Sequence, residues 1–152
     1  MIAEWNHSGE KKVPWVLDEE SDEFEAMLSR WEDYSRGIGI KEGFVPHSAY
    51  WLVRNDNKVL GAVNIRHELN DCLRNRGGHI GYGIKPSERR KGYAKEMLRL
   101  ALEIARKLNI TRALITCDKE NIASARTIMG NGGVFDSESV EDGVVFQRYW
   151  LV

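Results

Sequence analysis

A cationic turn runs from Pro86 to Ala94 with the sequence Pro-Ser-Glu-Arg-Arg-Lys-Gly-Tyr-Ala. It joins a short apolar segment, Gly78 to Ile84, to an amphipathic one, Tyr93 to Leu108. A turn that opens a helix presents backbone N–H groups without intrahelical partners, and the helix dipole adds positive charge at that end. Gly92 has no Cβ, so a ligand can approach the backbone closely. Three consecutive cations, Arg89, Arg90 and Lys91, would add charge-assisted hydrogen bonds of roughly 1.5–3 kcal/mol each. This pattern predicts a phosphate site.

Two familiar phosphate motifs are absent from the sequence. A P-loop would need a Gly-Lys-Ser/Thr ending, and the chain has none. Gly81-Tyr82-Gly83 begins a dinucleotide fingerprint, but Pro86 stands where its third glycine should be. What remains is Arg-x-x-Gly-x-Ala, formed by Arg89, Gly92 and Ala94. A solvated basic helix start is the alternative, but the succession of strand, proline, cationic turn and long helix favours the phosphate site.

The bulk properties favour one soluble domain over residues 1–152. The chain has 152 residues, 42% of them hydrophobic, which is enough for a sizeable core. Its formal net charge of -1 does not suggest a nucleic-acid partner, so the local cations suit a small anionic ligand better. Cys72 and Cys117 have neither metal-binding nor disulfide spacing. The start, Met1-Ile-Ala-Glu, does not resemble a signal peptide, and no apolar run approaches the ~20 residues that cross a bilayer. We therefore expect a cytoplasmic protein without a metal and without a membrane partner.

The periodicity of apolar residues predicts three long or medium helices and six strands or strand-like segments. Helices are predicted from about Asp22 to Arg36, from Tyr93 to Leu108, and from the N-cap Asn121 onward. Strands are predicted at Tyr50–Arg54, Lys58–His67, Gly78–Ile84, Arg112–Cys117, Val134–Val140 and Val144–Leu151. The last two should form a hairpin that turns at Asp142-Gly143. The segment from Glu68 to Gly77 is polar and is predicted to be irregular.

The order of these elements predicts an α/β (α+β) fold. The first three strands have short links and should be antiparallel, whereas Arg112–Cys117 follows a helical crossover and should lie parallel to Gly78–Ile84. The result is a mixed, mostly antiparallel twisted sheet with helices on both faces. In such sheets ligands bind where neighbouring strands send their connections to opposite sides, and the cationic turn lies at that end.

Two motifs resemble those of the GNAT N-acetyltransferase superfamily. The pattern at Arg89, Gly92 and Ala94 is similar to the pyrophosphate-binding turn of that family, and Asn121-Ile122-Ala123-Ser124 is similar to its Asn-x-x-Ser/Ala motif. The element order matches the family from the first long helix to the C-terminus. The resemblance implies acetyl-coenzyme A as co-substrate. It also implies a set of coenzyme-binding residues: Tyr82, Gly83 and Ile84 through backbone pairing with pantetheine, Arg89, Arg90, Lys91, Gly92, Tyr93 and Ala94 at the diphosphate, and Asn121 and Ser124 on the coenzyme arm.

The chain departs from the family pattern in two places that matter. Met1 to His7 is short and polar, so the first strand of the family is expected to be missing or reshaped. Seven residues past Asn121, many members have a tyrosine that protonates the leaving thiolate. Here that position is Ile128, which cannot donate a proton.

Transfer of an acetyl group to an amine requires the neutral form of that amine. For an amine with a pKa near ~10.4, about one molecule in 10³ is neutral at pH 7. A base is therefore valuable. His79 on the strand before the turn is the favoured candidate, because histidine titrates near ~6.5; a half-buried strand histidine bonded to a carbonyl is the alternative. Glu68 could reach the same cleft or could be a solvated rim residue. Tyr82 or Tyr149 could replace the missing tyrosine, although strand packing explains both.

The sequence thus favours an acetyl-coenzyme A-dependent N-acetyltransferase that acts by direct transfer to a primary amine of a small molecule or peptide. A non-catalytic module that binds coenzyme A as a sensor or scaffold is the alternative. The sequence does not identify the acceptor. The terminal hairpin is a candidate surface for a homodimer.

Overall fold

The structure is a computed structural model that describes residues 1–19 and 23–152. The helices of these residues are α1 (Ile2–Ser8), α2 (Phe24–Ser35), α3 (Asp71–Asn75), α4 (Tyr93–Lys107) and α5 (Ile122–Met129). The strands are β1 (His47–Val53), β2 (Val59–Arg66), β3 (Ile80–Ile84), β4 (Ala113–Asp118), β5 (Val134–Glu141) and β6 (Val144–Leu151). Short 3-10 turns lie at Trp15–Asp18 and Pro86–Glu88.

The strands form two antiparallel sheets of three strands each, with the orders β1-β2-β3 and β4-β6-β5. The sheets touch where Gly78 forms a single bridge with Ile115 and the His79 N–H donates to the Leu114 carbonyl at 2.7 Å. A Cβ on Gly78 would lie only 2.3 Å from that carbonyl oxygen, so glycine permits this close approach.

The α/β fold class is confirmed, but the predicted parallel pairing of β3 with β4 is wrong. Among the described residues these strands share no ladder, and the one bridge beside them, between Gly78 just before β3 and Ile115 of β4, is antiparallel. The physical reason lies in Gly77 and Gly78, whose φ values of 113° and 61° redirect the chain just before β3. The two sheets therefore meet at one point instead of along a shared edge.

The sheet formed by β1, β2 and β3 is covered on both faces. Val63 and Ile65 of β2 pack into one core with α4, α5 and the second sheet, whereas Ala62 packs into another with Trp5 and Trp31. The buried face of α4 is the predicted apolar stripe, and it contains Met97, Leu98, Ala101, Leu102 and Ala105. None of the described helices is long and apolar enough to span a membrane.

The predicted long helices and the terminal hairpin lie where expected, within a few residues at their ends. The predicted start of the first long helix, Asp22, lies outside the described residues. β1 begins earlier than predicted, at His47, and α3 forms in the segment predicted to be irregular, because the Asn70 side chain caps it by accepting from Leu73 N at 2.9 Å. No strand precedes β1 within residues 1–19 and 23–46; a helix, α1, is found at the N-terminus instead.

The N-terminal segment lies directly on β3. A Cβ on Gly83 would be 2.4 Å from the Val13 carbonyl oxygen and 3.1 Å from the Trp5 ring, and Pro14 lies close to Gly81. Glycine at positions 81 and 83 therefore lets this segment cover part of the β3 face.

Candidate active site

The start of α4 presents an open cup of backbone N–H groups. Gly92 is the N-cap residue with φ 84°, no side chain caps the helix, and the first helical bond runs from Glu96 N to Gly92 O at 3.2 Å. The N–H groups of Tyr93 and Ala94 donate to no atom of the described chain. A Cβ on Gly92 would meet nothing within 4 Å. This geometry suits an anion at the helix start.

The three cations of the turn differ in what they contact. Arg89 donates through Nε to the Ile84 carbonyl at 3.0 Å and through its two terminal nitrogens to both carboxylate oxygens of Glu10. The hydrogen bonds from Arg89 lower the pKa of Glu10 from its ordinary value. Lys91 donates to Glu88 at 2.9 Å. Arg90 makes no hydrogen bond or ion pair with the described residues, so its side chain is the cation available to a ligand.

The edge of β3 that faces away from β2 carries unpaired backbone groups. Lys85 N donates to Leu60 O at 2.9 Å and Arg66 N to His79 O at 2.7 Å. Because hydrogen-bonded pairs alternate in an antiparallel ladder, Gly81 and Gly83 bond to β2, whereas Tyr82 and Ile84 point their N–H and C=O groups away from it. The Ile84 carbonyl is taken by Arg89, and the remaining groups are placed to pair with an extended ligand.

The opposite wall is the start of α5. Asn121 caps this helix by accepting from Ser124 N at 3.1 Å, and the Ser124 hydroxyl lies 3.2 Å from the Tyr82 hydroxyl. Burial raises the pKa of Tyr82 to about 12, so the phenol keeps its proton. The structure therefore brings the predicted residues Tyr82, Asn121 and Ser124 to one cleft. Ile128 is fully buried, so the position of the family tyrosine belongs to the core.

His79 is held by the backbone of β4. Its Nδ1 accepts from Leu114 N at 2.9 Å, and burial, aided by Arg74 and Arg66, lowers its pKa to about 4. The neutral ring must then carry its proton on Nε2, which leaves no nitrogen lone pair open. These bonds favour a structural role that joins the two sheets over the predicted role as a base.

Glu68 lies two residues beyond β2, exposed to solvent, and makes no hydrogen bond or ion pair with the described residues. Arg66, the last residue of β2, lies outside the motifs that predict the site. Its Nη1 donates to the carbonyls of Gly77 at 3.0 Å and Gly78 at 3.1 Å. A charged residue at the end of a mostly apolar strand is the signal in the sequence that could have indicated it. Within the described part of the chain, no group of three His, Cys, Asp or Glu side chains could hold a metal.

Comparison with known proteins supports the fold and identifies the family. The family model described as an acetyltransferase (GNAT) domain matches residues 1–134. A mutant form of spermidine N-acetyltransferase from Vibrio cholerae has a similar fold, with a TM-score of 0.65, 18% identity, and coverage of 99% of this chain and 87% of that chain. A GNAT-family acetyltransferase from Bacillus anthracis matches with a TM-score of 0.57, 18% identity, and coverage of 68% and 65%. No curated protein matches the chain. Because the family model spans most of its residues, the chain belongs to the GNAT family of acetyltransferase enzymes.

Proposed function

We propose that the protein transfers the acetyl group of acetyl-coenzyme A directly to a primary amine of a small molecule or peptide. The observation that carries this proposal is a path of unpaired backbone groups. It runs along the outer edge of β3 at Tyr82 and Ile84 and ends at the N–H groups of Tyr93 and Ala94. A pantetheine arm has amides that can pair with a strand edge, and a diphosphate suits a helix start.

The predicted coenzyme residues divide into two groups by their contacts. Gly92, Tyr93 and Ala94 would supply the amide cup, and Arg90 would supply charge. Arg89 and Lys91 would act mainly by holding the turn, since both already bond to carboxylates of the chain. On the opposite wall, Asn121 and Ser124 would contact the coenzyme arm; the capping bond uses only part of the capacity of the Asn121 amide. Gly83 would contribute by its small size, because its backbone is bonded to β2.

The reaction itself needs few groups from the protein. The amine nitrogen forms a bond to the thioester carbon, the carbon–sulfur bond breaks, and the proton lost by the amine goes to a base or to water. Glu68 is the base that we propose, because its carboxylate makes no hydrogen bond or ion pair with the described residues, whereas the one nitrogen lone pair of neutral His79 already accepts from Leu114 N. The thiol of the donor has a pKa near ~8.5, so the thiolate can leave without a proton donor.

The proposal also covers the location and the assembly of the protein. We propose a cytoplasmic location, as expected from the sequence. A homodimer is proposed through the terminal hairpin, because β5 is an edge strand of its sheet. Its exposed apolar side chains include Val134, Phe135 and Val140.

The alternative is a module that binds coenzyme A without catalysis. It is favoured by one observation, that neither Ile128 nor His79 offers proton chemistry at the cleft. Calorimetry with acetyl-coenzyme A, combined with a thiol-release assay over a panel of amines that includes spermidine, amino acids and peptides, separates the two. Binding with amine-dependent thiol release supports the enzyme, whereas binding without release supports the module.

The site is tested with a double variant, Arg90→Glu with Gly92→Asp. It puts negative charge into the cup and should abolish coenzyme binding while the protein stays folded by circular dichroism. The matched control puts the same charges at the exposed C-terminal end of α4, away from the cup at its start, as Arg106→Glu with Asn109→Asp. Undiminished affinity in the first variant would place the coenzyme elsewhere.

A further inference from the structure

The Arg66 guanidinium is a largely buried charge without a counter-ion. Burial lowers its pKa to about 10, so it stays charged at neutral pH. Its Nη1 donates to two backbone carbonyls, those of Gly77 and Gly78. No carboxylate of residues 1–19 or 23–152 lies within ion-pair distance of it. A buried charge is normally paired, since removal from water without a partner is costly.

Two nitrogens of this guanidinium, Nε and Nη2, have no hydrogen-bond partner among the described residues. Together these two nitrogens form one planar edge of the guanidinium, which matches the two oxygens of a carboxylate. The side chain is partly accessible to solvent, so a ligand can reach this edge.

The guanidinium, whose Nη2 is one of the open nitrogens, lies over the strand that would hold the acetyl donor. Nη2 is 3.5 Å and Nη1 is 3.7 Å from the point that a Cβ on Gly81 would occupy, and Pro14 is 3.9 Å from the same point. Gly81 precedes Tyr82, whose backbone groups form the outer edge of β3. A ligand paired with that edge lies about one strand spacing, ~5 Å, from the β3 backbone. An anion on Arg66 and a thioester on β3 would therefore lie only a few bonds apart.

The surroundings of Arg66 favour an anion. Like Arg66, Arg74 carries a positive charge that acts on the nearby His79. Burial lowers the pKa of His47 and of His79 to about 4, so both rings are neutral at pH 7. Glu68, exposed and two residues away, makes no ion pair with Arg66. Among the described residues, Arg66 is therefore left without a paired carboxylate.

We propose that Arg66 binds the carboxylate of the acceptor, and that the acceptors are amino acids whose amine and carboxylate are separated by a few bonds. This inference rests on the proposed function, because it uses the donor site at β3. The carboxylate would supply the missing counter-ion of Arg66 and would fix the amine beside the outer edge of β3. Arg66 is thus a specificity-determining residue for the acceptor.

The test compares each amino acid with its amide at equal concentrations of the neutral amine, because amidation removes the carboxylate and also lowers the pKa of the amine. Initial rates are measured for amino acids and their amides, beginning with glycine and glycinamide and extending to longer ω-amino acids. The wild-type protein should prefer the acid in kcat/KM by at least tenfold for the best-fitting length, the effect expected of charge-assisted hydrogen bonds. No preference for any acid over its amide would overturn the proposal.

Arg66→Gln should bring the ratio of acid to amide close to one. A purely structural role predicts that both rates fall together and the ratio stays unchanged. Arg106→Gln is the matched control, since it removes the same charge from an exposed position near the C-terminal end of α4 and should keep the ratio. If Arg66→Gln does not fold, Arg66→Lys tests the same point. It keeps the positive charge but loses the planar pair of donors that a carboxylate matches, so the ratio of acid to amide should fall toward one.

A binding measurement separates this inference from the proposed function. Calorimetry of glycine, of the preferred acid and of the amides is carried out with the wild-type protein and the variants. Arg66-dependent binding of the acid without acetyl transfer would support this site and contradict the transferase proposal. Transfer to acids and amides at equal efficiency would support the transferase and overturn the role of Arg66.

Discussion

Arg89 and Glu10 face each other in a two-pronged ion pair, with Nη1 to Oε1 at 3.1 Å and Nη2 to Oε2 at 2.6 Å. The Nε of the same guanidinium donates to the Ile84 carbonyl. Nearby, Glu4 accepts from Ser87 N at 2.6 Å, so the N-terminal segment is tied to the turn at a second point. Arg89 therefore acts as a brace between β3, the turn and the N-terminal segment.

This arrangement predicts different effects for two neighbouring arginines. Arg90→Gln removes a cation that makes no hydrogen bond or ion pair with the described residues. It should therefore weaken coenzyme binding by about tenfold or more without changing Tm. Arg89→Gln breaks the brace and should lower Tm by roughly 2–4 °C, with a smaller effect on affinity. Calorimetry and thermal unfolding of both variants check this. A larger loss of affinity in Arg89→Gln than in Arg90→Gln would show that the brace opens when the coenzyme binds.

An alanine at Gly92 would have two effects: it would strain the backbone, and its methyl group would stand beside the amide cup. Gly143, in the turn of the terminal hairpin, shares only the first effect and therefore separates the two. Gly92 has φ 84° and Gly143 has φ 76°, and a Cβ at either position would meet nothing within 4 Å. Substitution by alanine should therefore cost about 1 kcal/mol of unfolding free energy at both positions. Only Gly92→Ala should weaken coenzyme affinity, since its methyl group would project beside the amide cup. Equal affinity in the two variants would contradict the proposed cup.

The parts of the fold that could be predicted are those with strong local signals. α4 has an uninterrupted apolar stripe, and the terminal hairpin has a two-residue turn at Asp142 and Gly143, both with positive φ. α1 and α3 are not predicted because both are too short to show a periodic apolar pattern. α1 is anchored by the buried Trp5, and α3 by the cap that Asn70 provides. The antiparallel bridge at Gly78 was missed because a single contact between sheets leaves no periodic pattern in the sequence.

The candidate site also contains some features that the sequence predicts and others that it does not. The cup at Gly92 and the cap at Asn121 follow from local motifs, and the structure puts both at the cleft. The pairing of Arg89 with Glu10 joins residues far apart in sequence, and nothing in either local sequence indicates it. The role of His79 depends on a hydrogen bond from Leu114 on another strand, so its residue type alone suggested a base.

Two buried histidines predict that the protein loses stability in mild acid. Burial lowers the pKa of His47 and His79 to about 4, whereas unfolded histidine titrates near ~6.5. As pH falls below ~6.5 the unfolded state binds protons and the folded state does not, so the unfolding free energy decreases until about pH 4. The expected slope is up to about 1.4 kcal/mol per pH unit for each histidine. Urea unfolding between pH 7.5 and pH 5 measures it.

Single substitutions show which histidine causes this pH dependence of the unfolding free energy. His79→Gln keeps an acceptor for Leu114 N, and His79→Gln and His47→Gln should each remove a large and similar share of the pH dependence. His67, whose pKa is also lowered by burial, should account for the remainder. His7, which is exposed, provides the control variant. The same His79→Gln protein should keep the wild-type pH–rate profile. A loss of the acidic limb of that profile would restore His79 as the base.

The last prediction concerns Tyr82, whose hydroxyl lies at the cleft beside Ser124. Its pKa of about 12 exceeds that of a thiol, ~8.5, by about 3.5 units, so proton transfer from this phenol to the leaving thiolate is strongly unfavourable. Tyr82→Phe should therefore change kcat by less than about threefold, whereas loss of a true general acid costs roughly 10²–10⁴-fold. Loss of the bond to Ser124 should lower the unfolding free energy by about 1 kcal/mol. Tyr149→Phe, which breaks a bond to Gln147 instead, is the matched control. A hundredfold lower kcat in Tyr82→Phe alone would mean that bound coenzyme lowers the pKa of this phenol and that Tyr82 takes the place of the tyrosine missing at Ile128.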